Sequence, residues 1–167
     1  PVVPATVPLI DGTTGLVTAI VEGSTLTQLR TAAISGAATE LLSNPDSRVA
    51  ALFGTGGQGP AQLEALMTVR PLREIRIFDV DPERVRKFVT KNQPLADRFG
   101  TTLVGAKSSD EAVEGADIIT TVTTSSKPVF DGSRNKPGCH VNGVGSYTPT
   151  MREIPVELLR RAGRIFV

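Results

Sequence analysis

The sequence predicts an α/β chain in which a β-hairpin precedes one doubly wound parallel sheet. Three observations predict it. From Arg48 onward, short apolar runs alternate with segments of helical spacing. Strands separated by helices pair in parallel through right-handed crossovers, which places helices on both faces of a single sheet. Ahead of that alternation, two extended runs flank a turn-rich spacer, and 167 residues is the length of about one domain.

The hairpin joins Val7 to Ile10 and Leu16 to Val21 through Asp11-Gly12-Thr13-Thr14-Gly15. From about Thr25 to Leu42 the spacing of Leu26, Leu29, Ala33, Ala37 and Leu41 is helical, with Asn44-Pro45-Asp46 closing the helix. Its middle is rich in Ala, Ser, Thr and Gly, so it can approach a neighbouring backbone closely. Val49 to Phe53 is a compact apolar strand, Gly57 to Arg70 a helix, and Glu74 to Val80 a second strand. Asp81-Pro82-Glu83 supplies an N-cap, a first-turn proline and a first-turn acid for the next helix, in which Pro94 predicts a break or kink. Thr101 to Ala106, Asp117 to Thr123, His140 to Val144 and Arg164 to Val167 are further strands. Ser109 to Glu114 and Pro155 to Ala162 are short helices. The chain opens on Pro1-Val2-Val3-Pro4 without an initiator methionine and closes on an apolar run, so the expectation is a piece of a longer protein. Residues 1–24 would be the edge of a second domain, and 25–167 the domain built on the parallel sheet.

Composition removes several function classes. Gly 16 and Pro 12 are ordinary usage for a globular chain and exclude collagen-like or low-complexity structure. Lys+Arg 18 against Asp+Glu 17 leaves a net charge of +1, and six Phe with one Tyr offer little to stack on bases, which argues against a nucleic-acid binder. One cysteine, Cys139, cannot close an internal disulfide, and one histidine cannot build a structural zinc site, so no metal is expected and a reducing cytoplasm fits. No apolar run approaches the ~18 residues that cross a bilayer, so no membrane association is expected.

The sharpest motif is Gly54-Thr55-Gly56-Gly57-Gln58-Gly59 between a predicted strand and a predicted helix. In a G-x-G-x-x-G loop the first glycine permits the tight turn, the second lets a pyrophosphate reach the backbone, and the third allows close helix–strand packing. The phosphate charge then rests at the helix N-terminus. Asp79 closes the next strand about 20 residues on, where a carboxylate accepts hydrogen bonds from a ribose. Together these make a Rossmann-type dinucleotide fingerprint. A carboxylate there repels a 2′-phosphate, so NAD is expected over NADP, with Arg84 and Arg86 close enough to soften that preference or to be ordinary solvated charges.

Other candidates carry less. Arg30, amid small residues, is either a fork for a carboxylate or phosphate or an ordinary surface arginine. Thr120, Thr121, Thr123, Thr124, Ser125 and Ser126 gather at the end of a strand, where open parallel sheets bind ligands, but β-propensity with a polar turn explains them equally well. Cys139 and His140 are neighbours on a strand and face opposite ways, so they do not form a catalytic pair.

Four ordered motifs then coincide: Leu26-Thr27-x-x-Arg30-Thr31-Ala32-Ala33; Gly54-x-Gly56-Gly57-Gln58; Pro137-Gly138-x-His140-Val141-Asn142-x-Val144-Gly145-Ser146; and Arg152-Glu153. Over nearly its whole length the chain resembles the ornithine cyclodeaminase and mu-crystallin family. The resemblance implies a homodimeric, NAD(P)-dependent oxidoreductase that transfers a hydride at the α-carbon of a small α-amino or cyclic α-imino acid, with residues 1–24 the remnant of a dimerisation or substrate domain and 25–167 the NAD(P)-binding domain. The alternatives it offers are ornithine cyclodeamination and a crystallin-like protein that binds nucleotide without turnover. It also implies that Arg30 meets a substrate carboxylate or a cofactor phosphate, Gly57 and Gln58 the pyrophosphate, Asp79 the adenosine ribose, and Thr123, Val144 and Gly145 the nicotinamide end. Cyclodeaminases carry an aspartate, the proposed general base, where this sequence has Tyr147. Tyrosine has no carboxylate to take an amine proton at neutral pH, which turns the expectation from cyclodeamination toward net oxidoreduction. The family's active-site lysine and a second substrate-binding arginine are expected outside this chain, so no catalytic residue is assigned within it.

Overall fold

A computed structural model describes residues 4–167. The first three residues of the predicted segment 1–24 therefore lie outside the described residues. The hairpin forms from β1 (Thr6–Ile10) and β2 (Val17–Glu22), antiparallel with a register shift between Leu9 and Ile10. Its turn is held by Asp11, whose carboxylate accepts from Thr13 N, Thr14 N and the Thr14 hydroxyl, while Gly15 takes the left-handed φ of 71° that the reversal needs.

The hairpin runs directly into helix α1 (Gly23–Leu42). Glu22, the last residue of β2, is its N-cap, accepting from Ser24 N and Thr25 N at 2.7 Å each. The proposed division between residues 24 and 25 thus falls inside the first turn of α1. At the other end the buried Arg70 guanidinium donates to the carbonyls of Thr39 (3.1 Å), Glu40 (2.6 Å) and Ser43 (3.0 Å), satisfying acceptors that a helix C-terminus leaves open and placing a cation at the negative end of its dipole.

Five parallel strands make the sheet: β3 (Val49–Phe53), β4 (Glu74–Phe78), β5 (Thr102–Gly105), β6 (Ile118–Thr121) and β7 (His140–Gly143), in the order β5-β4-β3-β6-β7. Helices α2 (Gly59–Val69), α3 (Pro82–Arg98), α4 (Ser109–Val113) and α5 (Val156–Arg161) complete the chain. The alternation therefore folds as its pattern predicts, into a doubly wound Rossmann-type sheet. Leu52, Ile75, Ile77 and Ile118 pack with Leu63, Leu66 and Phe88 on one face; Ala51, Phe53 and Ile119 pack with Val113, Phe130 and Leu158 on the other. Every residue of β3 is buried, as a central strand covered on both faces must be.

Three details depart from the sequence reading. Helix α3 runs unbroken through Pro94, because burial of Val85, Phe88 and Ala96 outweighs the ~3 kcal/mol that an interior proline costs. Arg164 to Val167 form no strand; these residues are exposed, and β7 remains the edge of the sheet. The apolar spacing of α1 marks the helix but not its packed face. Leu29 and Leu41 are 57% and 81% exposed, whereas Ala32, Ser35, Gly36 and Thr39 are buried. Small size decides that packing: a Cβ on Gly36 would stand 3.4 Å from the Ala65 Cβ on α2, so the two backbones run close.

Among the described residues no helix is long and apolar enough to cross a membrane, and no three His, Cys, Asp or Glu side chains are grouped to hold a metal ion.

Candidate dinucleotide site

The chain travels outward from β3 through β4 to β5, then returns to build β6 and β7 on the other side of β3. The strand order therefore reverses between β3 and β6, and ligands of open α/β sheets bind at the carboxyl ends of such a pair. Gly54 sits at that point. Its φ is 101°, its N–H donates to Phe78 O, and a Cβ on it would lie 2.7 Å from Val122 O, so only glycine fits the turn. Gly59 opens α2 against α3, where a Cβ would stand 2.9 Å from the Phe88 ring and 3.1 Å from Gly54 O. Gly56 is different. Nothing lies within 4 Å of a Cβ built on it, and its φ is not left-handed. The fold does not need a glycine there, so the open space above its backbone is what a ligand pressed against the loop would use.

Helix α2 begins at Gly59, two residues later than the sequence suggests, with Gly57 and Gln58 in the turn before it. The buried Gln58 Oε1 has no hydrogen-bond partner, and both amide atoms of the fully buried Gln62 are also unpaired, leaving donor and acceptor capacity at the first turn of α2. Gln28 of α1 brings its Nε2 to within 3.9 Å of a Cβ placed on Gly57, so the second turn of α1 flanks the loop.

Asp79 follows β4. Its Oδ2 accepts the Thr55 N–H at 2.9 Å and the Thr55 hydroxyl at 2.7 Å, while Oδ1 takes one long bond from Asp81 N at 3.3 Å. Burial is the strongest single influence on this carboxyl and opposes its charge. The Thr55 bonds, the Asp81 N–H and the nearby Arg84 together prevail and hold its pKa below the ordinary value. Asp79 thus faces the loop as an anion with Oδ1 still able to accept. Beside it, Phe78, Asp79, Val80, Pro82, Val85 and Arg86 form one side of an open groove of about 510 Å³, closed opposite by Gly105, Ala106 and Lys107. Arg86 lines the groove but is ion-paired to Glu83.

At the β6–β7 side, Val144 N donates to Thr121 O at 2.9 Å, and Thr123 and Gly145 meet so closely that a Cβ on Gly145 would collide with the Thr123 carbonyl. The buried Glu153 accepts from both, a bracing role absent from the sequence reading although Arg152-Glu153 is part of the resembling pattern. The structure thus brings Gly54, Gly56, Gly57, Gln58, Gly59 and Asp79 to one side of the switch point, and Thr123, Val144 and Gly145 to the other. Arg30 lies on α1, exposed and with no ion pair among the described residues.

The threonine cluster divides. Thr120 and Thr121 are fully buried; Asn142 Nδ2 donates to Thr39 Oγ1 (2.9 Å) and Thr120 Oγ1 (3.3 Å), tying β6 and β7 to α1. His140 meets Asn142 Oδ1 at 3.0 Å and, chiefly through burial, has its pKa lowered. Burial pushes the Cys139 thiol up to about 12, which leaves it a poor nucleophile at neutral pH. Both residues lie at the start of β7, the end of the sheet away from the glycine loop.

The sequence matches the model of the ornithine cyclodeaminase/mu-crystallin family over residues 1–167. The chain belongs to that family. It is 35% identical to a Delta(1)-pyrroline-2-carboxylate reductase of Bacillus cereus and 37% identical to the ketimine reductase mu-crystallin of Mus musculus, in each case covering 95% of this chain and 48% of the relative. The structure of Thermococcus litoralis Delta(1)-pyrroline-2-carboxylate reductase in complex with NADH and L-proline superposes with a TM-score of 0.86 at 33% identity, over 94% of this chain and 48% of that one. The chain therefore spans about half the length of the relatives that it matches.

Proposed function

We propose that this member of the ornithine cyclodeaminase/mu-crystallin family is the nucleotide-binding half of an NAD-dependent reductase for a small cyclic α-imino acid, acting at the α-carbon. The observation that carries the reading is Gly56: the fold leaves open space over a glycine that it does not itself require, at the switch point and beside the carboxylate of Asp79.

In this reading Gly54, Gly56, Gly57, Gln58 and Gly59 receive the pyrophosphate, whose charge is favoured by the N-terminus of α2. Asp79 accepts from the adenosine ribose through Oδ1, and as an anion it disfavours the 2′-phosphate of NADP. The groove between α3 and β5 takes the adenine, while Thr123, Val144 and Gly145 border the nicotinamide end. When bound, the cofactor supplies the hydride that reduces the imine carbon. Arg30, exposed and without an ion pair among the described residues, is available to a substrate carboxylate. Tyr147, 79% exposed, stands where an aspartate would serve cyclodeamination, so the net redox reaction is favoured. The relatives named as reductases of pyrroline-2-carboxylate and ketimines support the cyclic imine as substrate. The apolar faces left by the hairpin support a homodimer, and the single unpaired cysteine suits a reducing cytoplasm.

The test is a steady-state assay of the full-length protein with NADH and with NADPH, using pyrroline-2-carboxylate and its six-membered homologue, with ornithine as the competing substrate. Imine-dependent oxidation of NADH, faster than of NADPH, is expected. Redox-neutral conversion of ornithine to proline at a comparable rate would overturn the reading.

A further inference from the structure

Glu153 is the one acidic residue among those described that is buried, at 1% exposure, and it has no cationic partner there. Its Oε1 accepts Thr123 N at 2.6 Å and the Thr123 hydroxyl at 2.8 Å; its Oε2 accepts Gly145 N at 2.6 Å. The Thr123 hydroxyl in turn accepts Ser125 N at 3.2 Å. Backbone bonds stitch the same segment down, from Val129 N to Glu153 O and from Arg152 N to Ser125 O, each 2.9 Å. The chain after β7 therefore doubles back across the carboxyl ends of β6 and β7, and one carboxylate bridges the two.

Stability alone does not call for a buried acid: burying a charge is expensive, and apolar replacements of buried ionic groups are often neutral or stabilising. A carboxylate does what no other side chain does, since it presents acceptors on both oxygens with no donor between them. We infer that Glu153 is a positioning residue which sets the spacing of Thr123 against Gly145 and so shapes the nicotinamide end of the site without touching the cofactor. The inference rests on the nucleotide reading above. Its consequence is selective, because the adenosine side, at Asp79 and the groove behind it, shares no contact with Glu153.

In Glu153→Gln the shape is kept, but one oxygen becomes an NH2 that must face either Gly145 N–H or the Thr123 donors. Donor then opposes donor, and the two strand ends separate. The experiment titrates the full-length wild type and E153Q with NADH and with ADP-ribose, which lacks only the nicotinamide. NADH affinity is expected to fall about tenfold in E153Q while ADP-ribose affinity stays within about twofold of wild type. Equal loss of both ligands, or loss of neither, would overturn the inference. Wild-type protein that binds neither ligand would instead overturn the nucleotide reading, and this assignment with it. If E153Q does not fold, Glu153→Asp decides: it retains both acceptors on a shorter arm and is expected to weaken NADH several-fold at unchanged ADP-ribose affinity, whereas parallel weakening of both would mark a merely structural residue.

Discussion

Thr55 donates two hydrogen bonds to one oxygen of Asp79, from its backbone N–H at 2.9 Å and from its hydroxyl at 2.7 Å. The residue between the first two glycines of the loop is thereby fastened to the acid at the end of the neighbouring strand. Loop and acid are coupled through Oδ2, while Oδ1 of Asp79 takes only the 3.3 Å bond from Asp81 N.

That pairing has a pH signature. Asp79 is held below its ordinary pKa in the folded chain, so its stabilising contribution is present above the unfolded value, near ~3.9, and is lost as pH falls through the folded one. Thr55→Val removes the hydroxyl and is expected to cost about 1 kcal/mol at pH 7. Urea unfolding should show the gap between wild type and variant narrowing at pH 3. A gap of equal size at both pH values would contradict the assignment.

Pro94 lies exposed inside α3, where it removes an N–H from the helix ladder. Pro94→Ala restores that donor, at the price of a more flexible unfolded chain, and a net stabilisation of about 2 kcal/mol is expected. Thermal unfolding checks it. An unchanged or lowered melting temperature would mean that the proline fits α3 without strain.

The hairpin exposes Ile10, Leu16, Val17 and Ile20 at 61%, 67%, 57% and 72%, a run of apolar surface beyond what a free hairpin tolerates well. In the proposed homodimer, replacing Leu16 and Ile20 by aspartate in the full-length protein is expected to shift sedimentation toward monomer while NAD binding at the proposed site is kept. A wild type that sediments as a monomer, or a variant that remains a dimer of unchanged stability, would contradict the placing of the hairpin at a subunit interface.

The fold was legible where pattern and packing coincide: five parallel strands, the loop motif and the Asp81 cap all follow from local spacing and turn chemistry. The break expected at Pro94 does not form, because tertiary burial of Phe88 and Ala96 overrides a local propensity. The apolar stripe of α1 departs for a different reason, since Gly36 and Ala32 pack by smallness, which a hydrophobic period does not register. Of the candidate site, Gly54 and Gly59 were legible because the close approaches there admit only glycine, and Asp79 because it closes the strand next to the loop; Gly56 stood out by motif alone. Glu153 was not legible, because its two partner residues, Gly145 and Thr123, lie eight and thirty residues away and only the return of the chain over the sheet brings them together.

Gly56 offers the most direct test of nucleotide binding. A Cβ there meets nothing within 4 Å, so Gly56→Ala should fold like wild type, with a melting temperature within about 2 °C. The added methyl occupies the space where a pyrophosphate must approach the backbone, so calorimetric titration with NAD should show affinity at least about tenfold weaker than wild type. A folded G56A protein that binds NAD as tightly as wild type would contradict the account.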